Sequence, residues 1–240
     1  MILTFSQGNT HGTPALISTI PFASISDMTR TLVTGFTPFE GREVNASWIA
    51  TRQLGEHLMD PRVDLLEIPV VWGSPRELLE PLCTDEFIEI VIAMGEGREG
   101  WFDIETRARR TPILRKDNSG NLPGRLPWPD GPEIVNAGID AGRLQEQLRE
   151  GGAPVRVSRD AGGFLCEQTL YTLELLRRQQ KHLKTVVFVH LPPWGTELEY
   201  QNETVTCDET VLRDFSISLF EAIRDIHSDI VDYSSAPAPV

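Results

Sequence analysis

"TVVFVHL", residues 185–191, places Val186 and Phe188 on one parity and Val187, Val189 and Leu191 on the other, so an extended chain here is apolar on both faces. Such a strand has no face to offer water and belongs in the interior of a sheet covered on both sides. Four more apolar runs share this character: "TLVTGF" (31–36), "RVDLLEIPVV" (62–71), "FIEIVIAM" (87–94) and "PVRVS" (154–158). Between them lie helical segments. In "SPRELLEPL" from Ser74, Ser74 reads as N-cap, Pro75 as the first helical residue and Glu77 as the returning acid of a capping box. "DAGRLQEQLREGG" starts on Asp140 and stops at Gly151, and "DETVLRDFSISLFEAIRDI" from Asp208 repeats apolar residues at spacings of three and four. Strands alternating with helices predict an α/β fold with a parallel or mixed sheet between helical layers.

At 240 residues the chain suits one domain of generous size. We expect an irregular arm over 1–28, a single domain over 29–230 and a disordered tail over 231–240. With 35 acidic against 22 basic residues, a formal charge of −13, nucleic acid and anionic membranes are poor partners, and a small molecule or peptide is a better one. Apolar runs are too short to span a bilayer and no secretory signal opens the chain, so the expected compartment is the cytosol. Cys83, Cys166 and Cys207 are odd in number and widely spaced, which suits free thiols rather than disulfides or a metal knuckle; no metal and no cofactor is expected. The proline- and glycine-rich stretch "RKDNSGNLPGRLPWPDGPE" (115–133) reads as a long loop of functional type.

Cys166 stands in "DAGGFLCEQTLYTLELLRR" (160–178), where the glycines cannot continue a helix and the residues from Leu165 onward can. A free cysteine is often a small buried hydrophobe. One in the first turn of a helix, however, meets unpaired amides and the positive end of the dipole, which stabilise a thiolate. Glu167 opposes that effect unless its carboxylate points elsewhere. A thiol nucleophile needs a base. His57, His182 and His227 lie in polar surroundings expected to be exposed and His11 in the arm, whereas His190 ends a buried strand, at the sheet edge where ligands bind in open α/β folds.

"SRDAGGFLCEQTLY", "FVHLPP", "TLVTGFTPFEGREVNASW" and "DIETRA" followed by "DNSGNLP" together resemble the pyroglutamyl peptidase I (pyrrolidone-carboxylate peptidase) family, over about residues 30 to 226. The resemblance implies a cytosolic cysteine peptidase that removes an N-terminal pyroglutamate from peptides through a thioester acyl-enzyme. It also implies a three-layer α/β/α sandwich with a mostly parallel, mixed central sheet, and a homo-oligomer as one candidate assembly. Matched position by position, the nucleophile is Cys166, the base His190 and the acid Glu105, with Glu99 a second candidate for the acid. Phe36 and Phe39 become the apolar walls around the uncharged lactam ring, with Asn45 and Met94 beside them.

Two departures accompany the match. Where the family has asparagine after the cysteine this chain has Glu167, and where it has asparagine five residues after the acid this chain has Arg110. An added charge beside the thiol either opposes thiolate formation or changes what the pocket accepts. Two other readings therefore stand beside the peptidase: a catalytically altered relative that binds a lactam or pyroglutamyl peptide, and a cysteine amidohydrolase of a different cyclic or acylated amine.

Overall fold

A computed structural model describes residues 29–124 and 128–235; the arm expected over 1–28 and residues 236–240 lie outside the described residues. The chain runs β1 (Arg30–Phe36), α1 (Ala46–Leu58), β2 (Val63–Ile68), α2 (Ser74–Cys83), β3 (Ile88–Glu96), β4 (Phe102–Glu105), β5 (Arg107–Arg109) and β6 (Ile134–Asn136). It continues through α3 (Ala141–Glu150), β7 (Val155–Ser158), α4 (Leu165–Gln179), β8 (Thr185–Leu191), β9 (Glu197–Tyr200), β10 (Glu203–Thr206) and α5 (Glu209–Ser235). α5 carries helical structure five residues past 230, the boundary expected for the domain.

Six strands form the central sheet in the order β2-β1-β3-β8-β4-β7. β2, β1, β3 and β8 are mutually parallel, and β4 runs antiparallel to β8 while pairing parallel with β7, so the sheet is mixed. α1, α3 and α5 cover one face around a core that includes Val187, Val189, Phe102 and Phe215. α2 and α4 cover the other, around Val91, Val186 and Phe188. The two parities of the 185–191 run thus enter two different cores, as its doubly apolar pattern requires.

Local signals explain where four of the helices begin. Asp140 caps α3 by accepting from the Arg143 amide at 3.0 Å, and Asp208 accepts from the Thr210 and Val211 amides at 2.9 and 3.0 Å where α5 begins. At α2 the expected N-cap is displaced by one residue: Ser74 is already helical, and the cap is Gly73 with φ 93°, a backbone conformation glycine adopts at little cost. α1 follows an Asn45 cap whose Oδ1 accepts from the Ser47 amide and hydroxyl at 3.0 and 2.7 Å. Between β5 and β6 the described residues 110–124 and 128–133 form neither helix nor strand, in line with the loop expected over 115–133.

Candidate active site

The carboxyl ends of β1, β3 and β8 meet at one edge of the sheet, and His190 is the next-to-last residue of β8 there, 7% exposed. Antiparallel β4 sets Asp103 directly opposite His190. Glu105, two residues on and on the same side of the strand, is then the diagonal neighbour, and its Oε1 lies 2.9 Å from His190 Nδ1. A carboxylate at that nitrogen fixes the tautomer, with the proton on Nδ1 and Nε2 turned toward the rest of the site. Phe102 and Ile104, of opposite parity, enter the core. Asp103 is held separately by Arg156, with contacts of 2.8 and 3.0 Å. Glu99, the second candidate for the acid, is exposed in the connection between β3 and β4.

Cys166 is the second residue of α4 and is half-buried. No side-chain hydrogen bond caps this helix; the cap residue is Phe164, which leaves its first-turn amides without a capping side-chain acceptor. The Cys166 sulfur and the imidazole of His190 close on the same point, the place a side chain on Gly95 would occupy. Their approach depends on the glycines of "MGEGREG". A Cβ on Gly95 would fall 2.9 Å from Cys166 Sγ, 3.0 Å from Phe188 Cζ and 3.3 Å from His190 Cδ2, and one on Gly97 would fall 2.6 Å from His190 Cβ. These glycines leave the space that the sulfur and the ring occupy. Burial disfavours the charged imidazole, but the Cys166 sulfur and then the Glu105 carboxylate outweigh it, and the His190 pKa is pushed up to about 10. The imidazolium is thereby the favoured form of His190 at neutral pH.

Cys166, His190 and Glu105 line a cavity of about 190 Å³ whose other walls include Phe36, Phe39, Val70 and Phe164. Asn45 also borders it, but the Asn45 side chain serves the fold: besides capping α1 it donates to the Thr37 carbonyl at 3.1 Å. Met94 differs from the expectation. Its side chain is fully buried on the opposite face of the sheet, in the core between β3 and α1, because its parity on β3 is that of Ile92 and opposite to that of Gly95. Phe164 and Arg115 are wall residues that sequence reasoning missed; the only hint for Phe164 was its place just ahead of the cysteine-bearing helix.

The "DNSGN" part of the long loop is a clamp. Buried Asp117 accepts from the Trp72, Ser119 and Asn121 amides at 3.0, 2.9 and 2.8 Å, and despite the cost of burial those bonds hold its carboxyl below the usual range. Asn118 donates to the Pro38 carbonyl at 2.8 Å, fastening the turn that carries Phe39. Trp72 meets Phe164 edge-on at 4.9 Å. Loop, tryptophan and both phenylalanines therefore form one assembly.

Both departures from the family pattern have structural partners. The buried Glu167 carboxylate turns to Arg109, accepting from its backbone amide at 2.6 Å and from Nε and Nη2 at 3.0 Å each. Arg109 also reaches Asp160 at 2.5 Å, and together these two acids raise its pKa. The expected opposition between Glu167 and the thiolate is met by this neutralising cation. Arg110 donates to the carbonyls of Pro129 and Gly131 and pairs with Glu133, outside the cavity. His227 corrects a further expectation: it is buried, with Nδ1 2.9 Å from Thr185 Oγ1 and Glu89 nearby, and burial lowers its pKa.

Among the described residues no group of three or more His, Cys, Asp or Glu could hold a metal ion, and no helix is long and apolar enough to cross a membrane. Comparison with solved structures gives a pyroglutamyl peptidase I from Bacillus amyloliquefaciens at TM-score 0.68 and 25% identity, covering 83% of this chain and 97% of that one. A mutant pyrrolidone carboxyl peptidase from the hyperthermophile Pyrococcus furiosus shares the fold at TM-score 0.68 and 22% identity, over 82% and 99% of the two chains. By sequence, the chain is 34% identical to human pyroglutamyl-peptidase 1 over 170 residues, which are 68% of this chain and 79% of that protein. It is 33% identical over 176 residues to a pyrrolidone-carboxylate peptidase of Streptomyces coelicolor, 71% and 80% of the two lengths. The family model for pyroglutamyl peptidase matches residues 29–225, which spans every strand of the sheet and all five helices up to the last turns of α5, and on that match the chain belongs to the pyroglutamyl peptidase family.

Proposed function

We propose that this chain is a cysteine omega-peptidase that hydrolyses the amide bond after an N-terminal pyroglutamyl residue, with Cys166 as nucleophile, His190 as acid–base and Glu105 as the residue that orients His190. The observation that carries the reading is the Glu105–His190 hydrogen bond with the Cys166 sulfur beside the same imidazole, at the wall of a cavity faced with phenylalanines. An uncharged lactam offers no ion to grip, so an apolar slot with a few hydrogen bonds is the recognition its chemistry calls for. Residues 29–235 are proposed as the catalytic unit, and three free cysteines suit a reducing compartment such as the cytosol.

In the proposed sequence Cys166 Sγ, its proton held by His190, forms a bond to the pyroglutamyl carbonyl carbon. The carbonyl π pair moves to oxygen, where first-turn amides of α4 stabilise the negative charge. As the C–O double bond re-forms, the C–N bond breaks and the amine leaves with the proton from His190. Water then attacks the thioester, giving a proton to His190; the C–S bond breaks and pyroglutamate departs. Throughout, the Glu105 carboxylate holds Nδ1–H and stabilises the imidazolium without taking its proton. Glu167 and Arg110, whose charges raised a non-catalytic alternative, are each paired and neither borders the cavity.

Turnover of a pyroglutamyl-aminocoumarin amide tests the reading. We expect hydrolysis of this substrate, far weaker hydrolysis of the prolyl and glutamyl counterparts, and loss of turnover in Cys166→Ala and His190→Ala. A stably folded enzyme that leaves the pyroglutamyl substrate intact contradicts the proposal.

A further inference from the structure

The apolar walls of the cavity cannot satisfy a lactam. A ring held between Phe36, Phe39 and Phe164 buries a carbonyl oxygen, and a buried acceptor without a donor is costly. Side chains bordering the cavity offer few donors. Glu96, Asp103, Glu105 and Asp160 present carboxylates, and Asn45 spends one of its two amide N–H donors on the Thr37 carbonyl. Besides His190, which serves the chemistry, the cations are Arg98 and Arg115, and Arg98 follows Gly97, on the His190 side of the site.

Arg115 stands on the aromatic side. Its guanidinium carbon lies 4.5 Å from the Phe164 ring centroid and 5.8 Å from that of Phe39, so it spans the two walls at the cavity margin. Among the described residues its side chain has one hydrogen-bond partner, Glu40, reached through Nη2 at 2.5 Å. A guanidinium carries five N–H donors in a rigid plane, so that bond leaves others. The main chain of Arg115 is fastened as well: its carbonyl accepts from Trp72 Nε1 at 2.9 Å and its amide donates to the Ile113 carbonyl at 3.0 Å. Trp72 in turn meets Phe164, so the position of Arg115 is set by the same clamp that sets the walls.

We propose that Arg115 is a specificity-determining residue of the acyl pocket, donating a guanidinium N–H to the ring carbonyl oxygen of the terminal lactam. Stacking on Phe164 and Phe39 and the tether to Glu40 hold the donor ready before substrate arrives. The inference rests on the pyroglutamyl reading above and names the group that separates a lactam from a plain five-membered ring. A site built around a substrate hydrogen bond rejects the analogue that lacks it far better than an apolar pocket rejects a difference in size.

The test compares aminocoumarin amides of pyroglutamate, cyclopentanecarboxylate and 3-oxocyclopentanecarboxylate; the second lacks the ring carbonyl and the third restores it without the N–H. In Arg115→Met, which keeps apolar contact with the rings, the ratio of kcat/KM for pyroglutamyl over cyclopentanecarbonyl should fall roughly ten- to a hundredfold, as expected for losing a charge-assisted hydrogen bond. The ratio of 3-oxocyclopentanecarbonyl over cyclopentanecarbonyl should fall with it. Unchanged ratios overturn the proposal, whether or not the individual rates drop, because Arg115 would then act only by packing. No pyroglutamyl turnover in the unmodified enzyme would overturn the reading of the site, and this inference with it.

Discussion

Glu167 and Arg109 form a buried clasp beside the nucleophile: the carboxylate, 3% exposed in its side chain, accepts three hydrogen bonds from one arginine 58 positions earlier. The acid next to Cys166 is thereby tied to β5 and kept from acting on the sulfur as a lone charge. Arg109→Met leaves that carboxylate buried with only the backbone amide as donor and no cation, which should cost about 3 kcal/mol by chemical denaturation, the low end for breaking a buried pair since Arg109 is part-exposed and the backbone bond persists. The same variant should slow alkylation of Cys166, because an unneutralised carboxylate opposes the thiolate. Unchanged stability and unchanged alkylation would mean that the clasp is dispensable.

Cys166 should be the fastest of the three cysteines to react with iodoacetamide at neutral pH. Cys83 and Cys207 are fully buried, and burial pushes both thiols up to about 12, whereas Cys166 is half-buried at an uncapped helix start. Peptide mapping after brief exposure reads the order directly; a slower Cys166 would count against it as the nucleophile.

Gly95→Ala places a methyl group 2.9 Å from the Cys166 sulfur and 3.0 Å from Phe188, so something in the site must shift. Overpacking of this kind costs about 1–3 kcal/mol of stability. Displacing the nucleophile by a fraction of an ångström should lower kcat at least about tenfold while the folded state persists. Wild-type kcat in Gly95→Ala would mean that the crowding is relieved without moving the sulfur or the ring.

The pH profile follows from His190. With its pKa raised to about 10, the imidazolium that protonates the leaving amine persists through neutral pH, and activity should fall as pH rises through that value. Glu105→Gln removes one of the two groups that raise it, so the basic limb should move to lower pH. The stability from the raised pKa is fully present below the unfolded value of about 6.5 and is lost as pH rises through about 10. The stability gap between wild type and Glu105→Gln should therefore narrow at high pH; a basic limb that stays in place in Glu105→Gln would remove Glu105 from its orienting role.

The central strands were legible because burial on both faces writes an uninterrupted apolar run, as in 87–94 and 185–191, and the sheet holds them as β3 and β8. Cys166 and His190 were legible as places, a helix start and a strand end, and Glu105 only through the resemblance to the family. What stayed hidden depends on distant partners. Nothing local reveals that Glu167 answers to Arg109, that Arg115 lies on Phe164, or that Asp117 gathers the Trp72 amide. Met94 was misplaced by one step of parity, the smallest error a strand permits and one that exchanges pocket for core. Gly73 took the capping position from Ser74 because a positive φ was required there.

The most direct test of the account is capture of the acyl-enzyme. Rapid acid quenching during turnover of a pyroglutamyl ester or amide, followed by peptide mass mapping, should find one pyroglutamyl group added to the peptide containing Cys166, sensitive to hydroxylamine as a thioester is. Turnover with no such adduct, or with the adduct on a peptide lacking Cys166, would contradict the assignment of Cys166 as the nucleophile.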